Sequence, residues 1–393
     1  MSVVLTGATG FLGSQVLDRA LAHDAPVVAL VRGTDDADAA RRLREALADL
    51  GEEAAARAER VTVVAADLIA PDLGLDPEAW ERLAASAEVI VHCGANVAFD
   101  QPLEEAREVN VGGTRRVLAL ARAAHERGAL RRLIYVSTAY VAGTHQGTFT
   151  EDDHDVGQDF RNSYERSKFE AERLLRSEAG DVPLSVLRPS IVVGERQSGW
   201  TTAFNVLYWP LRAFARGLLS AVPAEPGTRI DAVPIDVVAD AIWAVAAGPG
   251  PARETLHLVA GERATTVDEL AELGGAAFGR PAVDLVTLEE FVGRATRGEG
   301  VSKSLIEGPA AEQASQYLPY FGMRVDFDDR RARERLGEAL RAPALPDYFD
   351  QLIAYAQAAR WGKRRVSRQE ARRMQFEPRV QFEPRVQPVG ADL

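Results

Sequence analysis

Short apolar runs and helical stripes alternate along the first half of the chain. Val3 to Leu5 is an unbroken apolar run, and Phe11, Leu12, Val16, Leu17, Ala20 and Leu21 then recur at helical spacing. The same alternation continues with a strand at Val27–Val31, a helix from about Ala37 to Leu50, and strands at Val61–Ala65 and Val89–His92. A helix from Glu104 to Arg127, a strand at Leu133–Val136, a helix from about Ser163 to Ser177 and a strand at Leu184–Leu187 follow. The strand sequences are apolar throughout rather than apolar on alternate residues. Strands of that kind, separated by helices, predict a parallel sheet covered on both faces. The fold class is therefore α/β, a doubly wound parallel sheet with ligands expected outside the carboxyl ends of its strands.

Beyond Pro189 the pattern changes. Thr202 to Arg216 is apolar and aromatic with Pro210 inside it, a strand-like Ile230–Ile235 leads into a helix from Asp236 to Ala247, and shorter units run to about Phe327. Asp347 to Trp361 reads as an amphipathic helix through Phe349, Leu352, Ile353, Ala356 and Ala359. The division expected is 1–195 for a nucleotide-binding domain and 196–362 for a smaller, mostly helical substrate region that sends parts back to the main sheet. Residues 363–393 begin with a basic stretch and end in a tandem hexapeptide, Gln375 to Val380 and Gln381 to Val386. Proline after each glutamate disfavours helix there. The expectation is a disordered tail, with a partner-docking or membrane-surface segment as the alternative.

Between the first strand and the first helix stands Thr6-Gly7-Ala8-Thr9-Gly10-Phe11-Leu12-Gly13. Glycines at a spacing of three allow a tight turn and a close approach, and the open helix end favours a pyrophosphate. A glycine-rich turn that merely packs is the bland reading, but the strand before it and the helix after it favour a dinucleotide site. Gly7, Thr9, Gly10, Phe11, Leu12 and Gly13 are the expected contacts. At the end of the second strand, where an acidic residue would select NAD, the chain has Val31-Arg32-Gly33. Arg32 suits a 2′-phosphate, so the cofactor expected is NADP(H), against the alternative of an ordinary surface arginine.

Composition narrows the class. A formal net charge of −12 argues against a nucleic-acid binder. The one cysteine, Cys93, excludes an internal disulfide framework and a multi-cysteine metal site, and no metal is expected. The first strand begins at residue 2, leaving no room for a cleavable signal peptide, and no apolar run approaches the roughly twenty residues of a membrane span. The expected location is the cytoplasm.

Candidate chemistry sits on two segments. Leu133–Val136 runs into Ser137-Thr138-Ala139-Tyr140, and a later helix carries Tyr164 and Lys168 at i and i+4, on one face. An ammonium beside a phenol favours the phenolate, lowering a pKa of about 10 toward neutrality. Thr138 can hydrogen-bond the same substrate oxygen. A lone Tyr-x-x-x-Lys is common; behind a glycine-rich site and a Ser-Thr strand end it points to proton transfer at a carbonyl.

These segments together resemble the extended short-chain dehydrogenase/reductases, a Rossmann-like family, from residue 2 to about 245 and more loosely to about 360. The resemblance implies Thr138, Tyr164 and Lys168 as the catalytic set, with Tyr164 and Lys168 also contacting the cofactor. It further implies Asp67 and Leu68 near adenine, Gly94 and Ala95 in the wall of the cofactor cleft, and Asn110, Pro189 and Ile191 among the cofactor contacts. From the residues alone, His92 remains open as a satisfied buried histidine, Asn110 as a structural hydrogen-bonder and Cys93 as a small core residue. Leu30-Val31-Arg32, Val136 to Val141, Arg188 to Gly194 and Gly199-Trp200 are similar to thioester reductase domains and fatty acyl-CoA reductases, the male-sterility-type NAD-binding domain. That branch implies NADPH-dependent reduction of an acyl thioester, on coenzyme A or a carrier protein, to an aldehyde or alcohol. Trp200–Phe214 would then line an acyl channel or form a core helix. The alternatives are a dehydrogenase, ketoreductase or epimerase acting on a free carbonyl or alcohol, and a non-enzymatic nucleotide sensor. A homodimer is expected by analogy.

Overall fold

The computed structural model describes residues 1–204, 206–338 and 341–374. Seven strands form the central sheet: β1 (Val3–Thr6), β2 (Val27–Val31), β3 (Val61–Ala65), β4 (Val89–His92), β5 (Arg132–Val136), β6 (Leu184–Pro189) and β7 (Arg253–Leu258). Every pairing is parallel and the spatial order is β7-β6-β5-β4-β1-β2-β3. The order reverses between β1 and β4. That switch point opens a crevice at the carboxyl ends of the strands, where a doubly wound sheet binds its ligand. Both sheet faces are buried, which is why these strands carry continuous apolar runs.

Several predicted elements take a different form. The stretch expected as one helix from Glu104 to Arg127 is Leu103–Arg107, a π turn at Glu108–Gly112 and then Gly113–Glu126. The wider turn carries the buried Asn110, and such bulges concentrate at functional sites. Ile230–Ile235 is two short strands, Arg229–Ile230 antiparallel to Thr265–Thr266 and Ala232–Pro234 parallel to Ile191–Val193. In the apolar segment after Thr202, among the described residues, only Tyr208–Ala215 is α-helical, with Pro210 in its first turn, where an amide has no helical partner to lose. The later helix is Phe349–Ala358.

The chain crosses back after residue 229. The helix Ile235–Ala247 packs on the first helix, Phe11–Ala22, and β7 completes the sheet edge. Arg19 reaches across to Asp240 at 2.8 Å.

The basic stretch from residue 363 departs from the expectation of disorder as far as residue 374. It forms a short helix, Arg368–Arg373, capped by Ser367 and held on the first half of the chain. Arg368 is buried, bonding Asp18 at 2.6 Å and Gln15 at 2.8 Å; Arg365 pairs with Asp49, and Arg372 with the buried Glu195. Its charges face a matching set of carboxylates, which composition alone does not reveal. The tandem hexapeptide lies outside the described residues.

Candidate active site

The glycine turn is shaped by what a side chain would strike. Gly7 has φ +74°, and a Cβ there would stand 2.6 Å from the Gly94 amide nitrogen in the loop after β4. A Cβ on Gly13 would lie 2.0 Å from the Gly7 carbonyl oxygen. Gly10 caps the first helix without a side-chain hydrogen bond, and no acidic residue occupies the first turn. Its free amides and positive dipole end therefore face the crevice, the environment a pyrophosphate requires. Gly13→Ala should abolish dinucleotide binding and lower stability, since the clash is with main chain and cannot be relieved by a rotamer change; calorimetric titration and thermal melting would check both.

A cleft of ≈ 470 Å³ runs from this turn along the ends of β1, β2 and β3. Of the expected contacts, Gly7, Thr9, Arg32, Asp67, Leu68, Gly94 and Ala95 line it. Gly10, Phe11, Leu12 and Gly13 form the adjoining turn and helix start. Arg42 also lines the cleft, bonding the Arg32 carbonyl at 2.7 Å; sequence reading missed it. Only the periodicity of the Asp36–Ala48 helix distinguishes Arg42 from Arg41, which turns outward to Asp38 and Glu45. The nearby acids are committed elsewhere: Asp35 caps that helix and Asp36 accepts from the Ala65 amide at 2.7 Å. The Arg32 guanidinium makes no ion pair among the described residues.

Asn110 fastens the wall of the crevice. Its side chain accepts from the Asn96 amide at 2.8 Å, donates to the Asn96 carbonyl at 2.9 Å, and donates to Ser167 on the Tyr164 helix at 2.8 Å. It is a structural hydrogen-bonder in this geometry, outside the cleft lining. His92 is likewise satisfied, between Thr6 at 2.7 Å and Thr114 at 3.2 Å, and burial lowers its pKa to about 3. Burial pushes the Cys93 thiol up to about 12, which fits a packing residue rather than a nucleophile.

The helix Ser163–Glu178 begins at Asn162, whose side chain accepts from the Glu165 amide at 2.9 Å. Tyr164 is half-buried, and its ring stacks on Phe99 at 5.8 Å. Thr138 ends the segment after β5; its hydroxyl donates to the Pro189 carbonyl at 3.4 Å and faces the Tyr164 phenol. Ile191 is buried in the core beside Val193. Thr138, Tyr164, Lys168 and Pro189 thus meet at the ends of β5 and β6.

The expected lowering of the Tyr164 pKa by Lys168 does not occur. Burial raises the phenol to about 12, with the Thr138 hydroxyl pulling the other way. Lys168 is buried and donates to the Val136 carbonyl at 2.7 Å, with its ammonium 4.2 Å from the Tyr135 ring centre. Desolvation lowers it to about 7, opposed by Glu172 one turn further on. The main chain of β5 has taken the contact that helix spacing assigned to the phenol. Beside the pair, Glu165 is buried and accepts from Tyr320 at 2.7 Å, so the second half of the chain closes directly on this helix.

Trp200 is buried against Phe11, centroids 5.7 Å apart, and Tyr208 and Phe214 belong to the core of the second half. Trp209 lies in the same core, donating to Gln313 at 2.7 Å with its ring 6.1 Å from Tyr317. These aromatic residues pack as core, the second of the two forms expected for the segment.

A parallel switch-point crevice, a glycine turn under an open helix end and a Thr/Tyr/Lys set at adjacent strand ends define an extended short-chain dehydrogenase/reductase fold. The chain belongs to the NAD-binding family described as male sterility protein, whose sequence profile matches residues 5–242. The cleft is accordingly that of a nicotinamide dinucleotide. The chain is 33% identical over 273 residues to the nonribosomal peptide synthetase asaC of Aspergillus flavus, covering 65% of this chain but 26% of that protein. It is 28% identical over 282 residues to fatty acyl-CoA reductase 1 of Xenopus laevis, covering 62% of this chain and 54% of the relative. Among solved structures, the terminal R domain of the myxalamid biosynthetic pathway matches with a TM-score of 0.77 and 26% identity, over 93% of this chain and 92% of that one. Among the described residues no helix is long and apolar enough to cross a membrane, and no cluster of side chains is placed to hold a metal ion.

Proposed function

We propose that the protein reduces an acyl thioester to an aldehyde, or onward to the alcohol, with NADPH as the electron donor. The observation that carries this reading is the end-to-end match to a terminal R domain, which extends through the second half of the chain. The site chemistry supports it. When bound in the cleft, a reduced nicotinamide supplies a hydride to the carbonyl carbon. The Tyr164 phenol, held protonated through the neutral range, and the Thr138 hydroxyl offer two donors to one carbonyl oxygen. A phenol poised as a donor suits reduction, whereas alcohol oxidation would call for a phenolate base. Collapse of the tetrahedral adduct breaks the C–S bond, the thiolate takes a proton, and aldehyde, free thiol and NADP⁺ result. Lys168 holds the end of β5 and, when charged, adds a positive field at the same oxygen.

The test is NADPH oxidation against a series of acyl thioesters, with thiol release followed in parallel. Matched rates establish the reaction; oxidation with aldehydes or ketones alone would replace it with a free-carbonyl reductase. Arg32 and Arg42 are the reason for choosing NADPH over NADH, because they line the adenosine end of the cleft and the acids beside them are occupied. Changing both to alanine should raise KM for NADPH roughly a hundredfold while leaving KM for NADH nearly unchanged. An equal effect on the two cofactors would remove the 2′-phosphate from the account.

A further inference from the structure

Three arginines of the second half stand together without an acid. Arg212 and Arg216 lie one turn apart at the end of the Tyr208–Ala215 helix. Arg280, arriving after the helix Val267–Phe278, places its guanidinium against Gly217: a Cβ there would stand 2.9 Å from Nη1. None of the three makes an ion pair or a side-chain hydrogen bond among the described residues. Arg294, on a neighbouring helix, is by contrast taken up by Asp284 and Glu290. Partial burial, with Arg216 adding to it, holds Arg212 below its usual pKa. The helix dipole accounts for a cation at the carboxyl end, as Arg216 is, but not for recruiting Arg280 from another element. In a chain of net charge −12, such a cluster is built for an anion.

Its position names the anion. Trp209, Arg212 and Arg216 fall at i, i+3 and i+7, on one helix face. Trp209 contacts Tyr317 at 6.1 Å, Tyr317 contacts Phe99 at 5.8 Å, and Phe99 stacks on Tyr164 at 5.8 Å. A line of rings therefore leads from the phenol to the helix that carries the arginines. A pantetheine arm, extended to about 20 Å by ordinary bond lengths, spans a path of that order.

Resting on the thioester reading, we propose that Arg212, Arg216 and Arg280 bind the phosphate at the far end of the phosphopantetheine arm, whose course to Tyr164 follows the direction of Trp209, Tyr317 and Phe99. Planar guanidiniums from two elements match the several oxygens of a phosphate ester. Coenzyme A and a carrier protein share this phosphate.

The experiment titrates the full chain, saturated with NADPH, with 4′-phosphopantetheine and with pantetheine. In the wild type the phosphate should tighten binding about ten- to a hundredfold, and in R212Q/R216Q/R280Q that advantage should vanish with melting temperature and NADPH affinity unchanged. Equal binding of the two ligands to the wild type, or an advantage retained by the variant, overturns the proposal. In turnover, a KM rise confined to acyl-CoA assigns the site to coenzyme A, a rise confined to a carrier-bound acyl group assigns it to a carrier, and no rise on either overturns the proposal. An acyl-N-acetylcysteamine thioester, which has no phosphate, keeps the two ideas separate. Loss of wild-type turnover on every thioester sinks the reductase reading, while the phosphopantetheine titration still reports on the arginines.

Discussion

Replacing Tyr164 with phenylalanine is expected to cut thioester reduction by about 10²- to 10⁴-fold while leaving cofactor binding and the fold intact. The ring itself stays useful in the variant, because its stacking on Phe99 at 5.8 Å needs no hydroxyl. What disappears is the proton held toward the carbonyl oxygen. Thr138 remains as a second donor, so the residual rate should exceed that of a variant that also loses the threonine. Stopped-flow NADPH oxidation alongside NADPH titration separates the two effects. A variant that reduces thioesters at the wild-type rate would remove the phenol from the chemistry, and one that fails to bind NADPH would assign it a cofactor role instead.

The second large effect concerns stability. Arg188 is fully buried and grips Glu172 with Nε at 3.0 and 3.2 Å and Nη2 at 2.7 Å; further contacts reach His257 at 3.2 Å and the Asp153 carbonyl at 2.9 Å. Changing Arg188 to methionine strands a buried carboxylate and should cost about 3–5 kcal/mol, read from urea unfolding. The pH dependence has a definite sign. Burial pushes the Glu172 carboxyl up, and Arg188 more than reverses this, holding it at about 2. A depressed acid contributes its stability above its ordinary range, so the wild type should lose stability as pH falls from about 4.5 toward 2. His257, lowered from its ordinary 6.5 to about 3 by burial with Arg188 adding to it, resists protonation and starts the loss earlier, as pH falls from about 6.5 toward 3. The other charged neighbours are Lys168, His154 and Arg176. A shallow acid limb, or an unchanged urea midpoint in R188M, would show that the pair is replaceable.

The parts of this molecule that were legible in sequence are those where one local pattern has one physical outcome. Continuous apolar runs gave the first six strands of the parallel sheet because both faces are covered. Gly7 and Gly13 were readable because no other residue fits against the Gly94 amide and the Gly7 carbonyl. Helix spacing brought Tyr164 and Lys168 to one face but could not disclose that the Val136 carbonyl, from β5, would claim the ammonium. Arg42 was hidden for the same reason: its position in the cleft depends on how the Asp36–Ala48 helix lies on β2 and β3. β7 was obscured inside the shorter units of the second half, since Arg253 and Glu254 open it with charge and its partner β6 is remote in sequence. The carboxylates that receive the basic helix are spread over Asp18, Asp49 and Glu195, so no window of sequence contains both sides of that contact.

The helix Arg368–Arg373 has a consequence for how the molecule is made. Its anchor, Asp18, leaves the ribosome some 350 residues before Arg368 does. The crevice is built from the first 110 residues, but the sheet edge waits for β7, and the fastening of Glu195, five residues before Trp200, waits for Arg372. In the growing chain β6 therefore stands with an unpaired edge from about residue 189 until β7 follows at residue 253, the condition in which strands recruit the wrong neighbours.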